Sequence, residues 1–327
     1  MRIAVTGATG FVGRALIARL SAEGLPCTVL ARQGSQHHGN AGSPVRVLPA
    51  LNEADERWAE VLKDADVLVH LAASTHQGER SDPASEAAFE AVNVGLTKRL
   101  AEGAVVAGIR HIVFMSSIKV CGERSQVDSE GQILALSPES QVAPEGPYGA
   151  SKWRAEQALQ ERCSAAGIAL SVFRPPLVYG VGMRGNLWSL LRILDRGVPL
   201  PLASVRNRRS LVHRDSLVDA VVRAIHKRRA GSALYTLADL DLSTPELIRS
   251  MARGLGKPAR LFPFPPRLLH RLGALVGRAS LMDRLTESLR VDSTHVTRDL
   301  DWRPNLDATQ AWAEIGRSFR QGGAAWQ

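Results

Sequence analysis

Apolar residues in the first half of the chain fall into short continuous runs, separated by segments whose apolar residues recur at helical spacing. The runs predict buried strands at 2–7, 27–32, 45–48, 66–73, 111–117 and 168–176. The segments predict amphipathic helices at 11–24, about 53–63, about 84–108 and 148–167. Because apolar strands that alternate with helices are typical of a parallel sheet covered on both faces, this half is expected to be an α/β domain.

Beyond residue 180 the alternation becomes irregular. Helices are predicted near 186–196, 213–229, 243–255 and 265–277, with one strand at 232–238. A polar stretch at 33–44 predicts a loop in the first half. The second half is therefore expected to form a smaller cap beside the sheet.

The composition is that of a soluble globular protein, with 45% hydrophobic and 22% charged residues among 327. This length predicts one large domain or two closely joined domains. No apolar run reaches the ~18 residues that a membrane-spanning helix needs, so stable membrane insertion is not expected.

The net charge of +9 favours anionic partners: nucleic acids, membrane surfaces or phosphorylated small molecules. Aromatic residues make up only 5%, which disfavours base-stacking surfaces, so no nucleic acid partner is expected. The basic cluster at 226–229 is expected to be a solvated helix face. The basic and apolar segment at 261–279 is expected to be a cap helix, with contact to a membrane surface as the alternative.

Three scattered cysteines, Cys27, Cys121 and Cys163, provide neither a disulfide framework nor a metal-binding spacing. The nine histidines contain no H-E-x-x-H pattern, so no metal is expected. The chain begins directly with a predicted strand instead of an export signal, which makes the reducing cytoplasm the expected location.

Three glycines spaced three residues apart follow the first strand and open the first helix. Glycine at such a turn allows a tight bend, close approach to a pyrophosphate and close packing of the helix on the sheet. The amino end of the helix adds free N–H groups and the positive end of its dipole. The turn therefore predicts a dinucleotide site, with contacts from Gly7, Thr9, Gly10, Phe11, Val12 and Gly13.

The end of the second strand bears on the choice of dinucleotide. NAD sites usually have an acidic residue there, which binds the ribose hydroxyls. This chain has Ala31 and Arg32 instead, and a guanidinium suits the 2′-phosphate of NADP(H), with Arg14 as a second candidate. NADP(H) is therefore favoured as the cofactor, and NAD(H) is the alternative.

Tyr148 and Lys152 lie four residues apart in a predicted helix and therefore on one face of it. A phenol has an ordinary pKa near 10, which a neighbouring ammonium and the positive ring of an oxidised nicotinamide would lower. Such a tyrosine can protonate a carbonyl oxygen that receives hydride, or deprotonate an alcohol that loses it. A serine hydroxyl would hold that oxygen, and Ser116 and Ser117 end the strand at 111–117.

These residues stand in motifs that resemble those of the extended short-chain dehydrogenase/reductases. Residues 116–122, SSIKVCG, resemble the family motif S-S-x-x-V-Y-G. Residues 66–73, DVLVHLAA, resemble the family motif D-x-V-x-H-L-A-A. Residues 174–180, RPPLVYG, resemble the family segment that passes the nicotinamide. The match covers nearly the whole chain and implies a Rossmann-type doubly wound parallel sheet with a smaller, mostly helical C-terminal substrate-binding domain. The implied division is 1–178 plus about 212–240 for the first domain, and about 179–211 plus 241–327 for the second.

The resemblance also implies roles for individual residues. Ser117, Tyr148 and Lys152 match the family's catalytic triad. Two departures are Cys121, which replaces a tyrosine, and 49–51, where Pro-Ala-Leu replaces the G-D-[LI] whose acid contacts adenine. The further implied cofactor contacts are Leu71, Ala72, Ala73, Asn93, Ser116, Pro175 and Val178, together with Tyr148 and Lys152.

The second half resembles the nucleotide-sugar branch of the family, through GNLW at 185–188 and NRRSLVHRDSLVDA at 207–220. In that branch an asparagine–leucine pair lies beside the sugar nucleotide, and an arginine binds the diphosphate. A guanidinium group suits this role because it can bind two phosphate oxygens at once. A UDP-sugar is the implied substrate, with contacts from Ser74, Thr75, Ser117, Lys119, Asn186, Leu187, Arg209 and Asp292. For Asp292, the alternative to a substrate contact is a capping loop before a helix.

Dehydratases of this family have threonine in place of the active-site serine, followed by Asp-Glu, whereas Ser117 is followed by Ile118 and Lys119. Two reactions remain: reduction of a 4-keto sugar, which releases the cofactor, and 4-epimerisation, which keeps it bound. The motifs most resemble the UDP-2-acetamido-4-keto-6-deoxyhexose reductases of bacterial O-antigen synthesis, which make UDP-N-acetylquinovosamine or UDP-N-acetylfucosamine. A UDP-glucose 4-epimerase with tightly bound NAD is the alternative.

A hypothesis of another class is a non-catalytic sensor or scaffold that binds NADP(H). Such a protein would be expected to lack a member of the triad, and all three are present. The family resemblance further implies a homodimer that pairs the helices near 84–108 and 148–167.

Overall fold

Ten strands and twelve α-helices are present in the computed structural model, which describes residues 1–32, 34, 43–75, 83–275 and 279–322. The strands are β1 (Ile3–Thr6), β2 (Cys27–Ala31), β3 (Val45–Val47), β4 (Val67–His70), β5 (His111–Met115), β6 (Ala169–Arg174), β7 (Leu177–Tyr179), β8 (Arg209–His213), β9 (Ser232–Thr236) and β10 (Leu240–Leu242). The helices are α1 (Phe11–Ala22), α2 (Asp55–Leu62), α3 (Pro83–Phe89), α4 (Leu96–Val106), α5 (Gly146–Ala166), α6 (Asn186–Asp195), α7 (Arg214–His226), α8 (Thr244–Gly254), α9 (Pro266–Leu275), α10 (Ala279–Thr286), α11 (Thr294–Leu300) and α12 (Ala308–Arg320).

The larger sheet contains seven parallel strands in the order β3-β2-β1-β4-β5-β6-β9. The chain winds from β1 toward β3 and then returns to β4 on the other side of β1, which makes the space between β1 and β4 the switch point. In such sheets ligands bind outside the carboxyl ends of the strands at that point. The predicted Rossmann-type doubly wound sheet is therefore confirmed.

Helices cover both faces of this sheet, which is why every residue of β1 and β4 is buried. One face packs against α1, α7 and α11 through a core that includes Leu16, Leu217 and Val296. The other face packs against α2, α4 and α5 through Trp58 and Leu159, among others. The sheet is thereby held as a rigid platform whose strand ends carry the candidate site.

The remaining strands form a second sheet in the order β10-β8-β7, which sequence analysis did not predict. Helices α6, α8, α9 and α12 share a separate core with this sheet, in which Tyr179 stacks on Trp312 with ring centroids 4.9 Å apart. The predicted domain boundaries stay a prediction. Helix α11, which falls in the predicted second domain, packs into the core of the larger sheet through Val296 and Leu300.

The long helix predicted at 84–108 is divided into three segments. A π-helix at Glu90–Gly95 joins α3 to α4 without a break in the chain direction. Helix α5 ends where the sequence predicts, because Gly167 adopts a left-handed backbone with φ of 67°. Most of the loop predicted at 33–44 and the end of the helix predicted at 265–277 lie outside the described residues.

Within the described ranges, no helix is long and apolar enough to cross a membrane. The same part of the chain contains no group of three or more His, Cys, Asp or Glu side chains that would hold a metal ion.

Candidate active site

The glycine turn between β1 and α1 lies at the switch point of the sheet. Gly7 has a φ of 70°, and a side chain there would place its Cβ 2.6 Å from the Ala72 backbone nitrogen. A Cβ on Gly13 would lie 2.1 Å from the Gly7 carbonyl oxygen, so α1 packs on the turn only without that atom. Glycine is therefore required at both positions for steric reasons.

The amino end of α1 is suited to a diphosphate. Its N-cap, Gly10, provides no side-chain cap and no acidic residue occupies the first turn. The Arg14 N–H donates to the Gly10 carbonyl at 3.0 Å, while the amides of the three preceding residues have no acceptor within the helix. These features fit the pyrophosphate of a nicotinamide dinucleotide, which when bound would exchange hydride with a substrate.

Arg32 is exposed at the carboxyl end of β2, the position predicted for contact with the adenosine ribose. Arg14 folds back over the glycine turn and donates from Nη1 to the Thr9 carbonyl at 3.2 Å. Thr9 itself is exposed on the turn. Two guanidinium groups therefore border the predicted adenosine end of the site.

The three predicted catalytic residues converge at the end of β5. The Ser117 hydroxyl lies beside the Tyr148 phenol, across the gap between β5 and α5. One turn further along α5, Lys152 donates from Nζ to the Met115 carbonyl at 2.7 Å. Its ammonium also lies 4.6 Å from the centre of the Phe114 ring. The arrangement brings together a phenol, a hydroxyl and a buried ammonium.

Burial changes the pKa of both titratable members of the triad. Burial raises the pKa of Tyr148 to about 12, and the neighbouring Ser117 hydroxyl opposes that shift. Burial lowers the pKa of Lys152 to about 7, and the charge of Glu156 opposes that shift. The sequence predicts a lowered phenol pKa beside the ammonium and an oxidised nicotinamide, whereas the chain by itself raises that pKa. The chain alone therefore keeps the phenol protonated near neutral pH.

Asn93, in the π-helix, joins the end of β4 to the helix that carries Tyr148. Its Oδ1 accepts from the Ser74 N–H at 2.8 Å, and its Nδ2 donates to the Ser74 carbonyl at 3.1 Å and to Ser151 Oγ at 2.9 Å. Ser151 in turn donates to the Tyr148 carbonyl at 2.8 Å. Since these bonds occupy the amide, the side chain of Asn93 supports the site from within, and its predicted cofactor contact stays a prediction.

Sequence analysis assigned no role to His70, which lies in the sheet behind Asn93. Its Nδ1 is 2.7 Å from Thr6 Oγ1, and its Nε2 is 2.8 Å from Thr97 Oγ1. Because Thr97 donates its proton to the Asn93 carbonyl at 2.7 Å, Nε2 is the protonated nitrogen. Burial lowers the pKa of His70 to about 3, so the ring stays neutral. It joins β4 to Thr6 of β1 and to Thr97 of α4, which in turn holds the Asn93 carbonyl of the π-helix.

The other predicted cofactor residues lie at neighbouring strand ends. Leu71, Ala72 and Ala73 are partly buried directly after β4, beside the glycine turn. Pro175 is buried after β6, and its carbonyl accepts from the Ile118 N–H at 3.0 Å. The partly buried positions also include Phe11, Val12 and Val178.

Ser116 differs from the prediction in where its hydroxyl points. The residue is buried, and its Oγ donates to the Glu156 carboxylate instead of facing the cofactor side. Only the backbone of Ser116 is therefore available for the predicted contact with the cofactor.

Charged residues gather between the two parts of the protein, beside the triad. Lys119 pairs with Glu123 at 2.5 Å, and Arg284 of α10 approaches the same carboxylate at 3.5 Å. Arg209 is partly buried at the start of β8 and donates to the Glu287 carbonyl at 3.2 Å. Burial lowers the pKa of Arg209, and the charge of Glu123 opposes that shift. Sequence analysis missed Glu123 and Arg284, which come together only in the folded chain.

The remaining predicted substrate residues are placed in different ways. Asn186 is exposed at the first position of α6, and Thr75 is exposed after β4. Leu187 is buried in the second core, which leaves its backbone for the predicted contact. The Asp292 carboxylate accepts from the Thr294 N–H at 3.2 Å and hydroxyl at 2.7 Å, as a cap of α11. The capping interpretation of Asp292 accounts for these bonds.

Comparison with known proteins gives a family and several relatives. Residues 3–238, more than half of the chain, match the NAD dependent epimerase/dehydratase family. A Vibrio cholerae protein named UDP-glucose 4-epimerase is 32% identical over 321 residues, which cover 98% of this chain and 95% of that protein. An Escherichia coli O157:H7 protein named N-acetyl-alpha-D-glucosaminyl-diphospho-ditrans,octacis-undecaprenol 4-epimerase is 27% identical over 274 residues, covering 82% of this chain and 77% of that protein.

Solved structures support the fold. The crystal structure of UDP-glucuronic acid 4-epimerase from Bacillus cereus, in complex with NAD, superposes with a TM-score of 0.76 at 18% identity. The superposition covers 98% of this chain and 99% of that chain. At this identity the likeness concerns the fold and not the reaction.

Proposed function

Since the chain belongs to the NAD dependent epimerase/dehydratase family, we propose that it transfers hydride between a nicotinamide dinucleotide and C4 of a UDP-hexose. The predicted extended short-chain dehydrogenase/reductase family is confirmed, and with it an NAD(P)-dependent oxidoreductase or 4-epimerase. The reaction that we propose within this class is reduction of a UDP-4-keto-6-deoxy-N-acetylhexosamine to UDP-N-acetylquinovosamine or UDP-N-acetylfucosamine, a step toward O-antigen.

The observation that supports this proposal best is the convergence of Ser117, Tyr148 and the buried Lys152 ammonium at the carboxyl end of the sheet. Because burial keeps the phenol protonated, Tyr148 is suited to donate the proton that the carbonyl oxygen needs as it becomes an alcohol. The Ser117 hydroxyl would hold that oxygen, and Lys152 supplies a fixed positive charge near it.

The charges beside the triad support a nucleotide diphosphate as the part of the substrate that the protein binds there. Three cations, Lys119, Arg209 and Arg284, surround the carboxylate of Glu123, and the charge of Glu287 also acts on Arg209. A diphosphate would balance this excess of positive charge, and guanidinium forks bind phosphate oxygens in pairs. Arg208 is a weaker candidate because it is exposed and pairs with Glu246 at 3.1 Å.

A second candidate is 4-epimerisation of a UDP-hexose with the cofactor retained. It is favoured by the Vibrio cholerae relative, whose name is UDP-glucose 4-epimerase. The same triad serves both reactions, since Tyr148 would first accept a proton from the substrate alcohol and later return it.

An incubation with two substrates separates the candidates. The protein is mixed with UDP-4-keto-6-deoxy-N-acetylglucosamine and, separately, with UDP-glucose, each with and without added NADPH or NADH. Stoichiometric loss of the reduced cofactor with the keto sugar identifies a reductase. Formation of UDP-galactose from UDP-glucose without added cofactor identifies an epimerase, and turnover of neither substrate contradicts the proposed substrate class.

Arg32 provides a test of cofactor choice, for which we propose NADP(H). Arg32→Glu is expected to weaken NADPH binding about tenfold or more, because a charge-assisted bond to the 2′-phosphate is replaced by repulsion. NADH binding should change little, since NADH carries ribose hydroxyls at that position. Fluorescence titration of both cofactors measures the two affinities.

Arg303→Glu is the matched control, because Arg303 is exposed before α12 and the substitution changes the net charge equally. Equal NADPH affinities for Arg32→Glu and the parent protein would remove Arg32 from the 2′-phosphate site.

We also propose a cytoplasmic homodimer that pairs the outer faces of α4 and α5. The exposed Val106, with 55% of its surface accessible at the end of α4, supports this surface as an interface. Light scattering coupled to gel filtration would report a dimer mass, and Val106→Glu should shift it toward the monomer.

A further inference from the structure

A buried ion pair between Glu156 and Arg174 lies beside the triad, and the proposed reaction gives it no role. Glu156 follows Lys152 by one turn of α5, and Arg174 is the last residue of β6. Arg174 donates to the carboxylate from Nη2 at 2.5 Å and from Nε at 3.0 Å. The side chains are 6% and 3% exposed, so the pair is removed from water.

The Glu156 carboxylate is fixed by more than this pair. The Ser116 hydroxyl donates to its Oε1, which ties the carboxylate to the residue just before Ser117. Arg174 is itself held through Nη1, which lies 3.3 Å from Cys121 Sγ. Three donors from two strand ends therefore hold one carboxylate on α5.

Lys152 and Glu156 lie on the same face of α5, because they are four residues apart. Lys152 is only 1% exposed, and its ammonium has the Met115 carbonyl and the Phe114 ring as neighbours. A buried ammonium tends to lose its proton unless a negative charge is close. The fixed carboxylate of Glu156 supplies that charge.

We propose that Glu156 is a positioning residue that keeps the buried Lys152 ammonium charged, and that Arg174 and Ser116 hold the Glu156 carboxylate in the required place. The inference rests on the proposed role of Lys152 in the reaction. It assigns a function to a buried pair whose removal from water is otherwise costly.

The other titratable groups around Lys152 do not supply this charge. Tyr148, on the same helix, is neutral because burial raises its pKa to about 12. His70, on β4, is neutral because burial lowers its pKa to about 3. Burial raises the pKa of the Cys121 thiol, and Arg174, the remaining charged neighbour, is positive. Glu156 is thus the negative group in this part of the described structure.

The direction of the expected effect follows from the Lys152 pKa. Burial lowers that pKa to about 7, and Glu156 acts against burial. Loss of the carboxylate charge would lower the pKa further, so Lys152 would lose its proton at a lower pH. Substitution by glutamine keeps the size of the side chain and removes the charge.

The test is NMR of protein labelled with ¹³C at lysine Cε, followed as a function of pH. The chain contains only six lysines, so the Lys152 signal can be assigned from the spectrum of Lys152→Met. In Glu156→Gln the titration midpoint of Lys152 is expected to fall by about one pH unit or more. This measurement needs neither substrate nor cofactor, so it is independent of the proposed reaction.

Glu102→Gln is the matched control, since Glu102 lies on α4 and pairs with Arg162 of α5 at 2.7 Å. It should leave the Lys152 midpoint unchanged. If Glu156→Gln does not fold, the double variant Glu156→Gln/Arg174→Met removes both charges and is titrated instead. A Lys152 midpoint at the parent value, in whichever of the two variants folds, would overturn the proposal even if the variant is less stable.

The pH dependence of activity is a second measurement, and a purely structural role of Glu156 would not shift it. In Glu156→Gln the alkaline limb of the kcat/KM profile is expected to shift to lower pH by the same amount as the Lys152 midpoint. Glu156→Asp keeps the charge and should restore most of the parent profile. A uniform loss of activity at every pH would count against the proposal.

Discussion

Tyr148→Phe is expected to reduce turnover by about 10²–10⁴-fold, the usual effect of losing a general acid. The substitution removes the phenol hydroxyl, which lies beside Ser117, and leaves no other proton donor at that position. The aromatic ring should stay in place, because Phe89 packs against it edge-on with ring centroids 5.9 Å apart. Steady-state kinetics with the substrate identified by the incubation experiment would measure the loss.

Cofactor affinity separates this effect from damage to the site. Tyr148→Phe should bind NADPH or NADH nearly as tightly as the parent protein, because Lys152 and the glycine turn are unchanged. Tyr235→Phe is the matched control, since Tyr235 lies on β9 within the core and is one of only three tyrosines. Full turnover in Tyr148→Phe would remove the phenol from the reaction.

The pattern of apolar runs was sufficient to predict the larger sheet. Each predicted strand of the first half corresponds to an observed parallel strand, because strands covered on both faces are largely apolar. The edge strand β3 carries two apolar residues, Val45 and Val47, although both are exposed. Gly167 marks the end of α5 because it adopts the left-handed conformation that other residues avoid. Such local signals are present in the sequence before any tertiary contact forms.

The second sheet could not be predicted in the same way. Strands β7 and β10 contain three residues each, too few for an alternation to be recognised. Their pairing with β8 depends on contacts between distant parts of the chain, such as Leu240 opposite Leu211. The sequence therefore predicts a second domain that is mostly helical.

The candidate site likewise contains some residues that a local sequence pattern predicts and others that it does not. Ser117, Tyr148 and Lys152 were identified because their spacing reflects their chemistry, and the structure brings them together. The buried groups that support them, such as His70 and Glu156, carry no local signal, since a histidine in a strand or a glutamate in a helix is ordinary. Their partners become neighbours only when β4, β5, β6 and α5 pack.

Ser116 illustrates the limit of transferring a motif. The doubled serine at the end of β5 predicts two hydroxyls on the ligand side, yet only Ser117 faces Tyr148. Successive residues of an extended chain point to opposite sides, so Ser116 points back to Glu156. The pair thus links the reacting groups to the buried charges behind them.

Gly13→Ala is expected to weaken dinucleotide binding about 100-fold or more. The added Cβ would lie 2.1 Å from the Gly7 carbonyl oxygen and 2.7 Å from Ala8 Cα, both of them backbone atoms that cannot rotate away. Helix α1 must therefore move off the turn, which separates its first amides from the phosphates. Two charge-assisted bonds at about 1.5–3 kcal/mol each account for a loss of this size.

The same clash should lower the free energy of unfolding by about 1–3 kcal/mol, as overpacking does elsewhere. Gly95→Ala is the matched control, because a Cβ there would meet Leu51 Cδ1 at 3.5 Å and the Glu90 carbonyl oxygen at 3.6 Å, both ordinary contacts. Alanine also favours a helical backbone over glycine, so this variant should be as stable as the parent or more so. Cofactor titration and thermal unfolding of both variants measure the two effects. Parent-like cofactor affinity in Gly13→Ala would mean that the dinucleotide does not bind across this turn, and the assignment of the whole site at the carboxyl ends of the sheet would lose its basis.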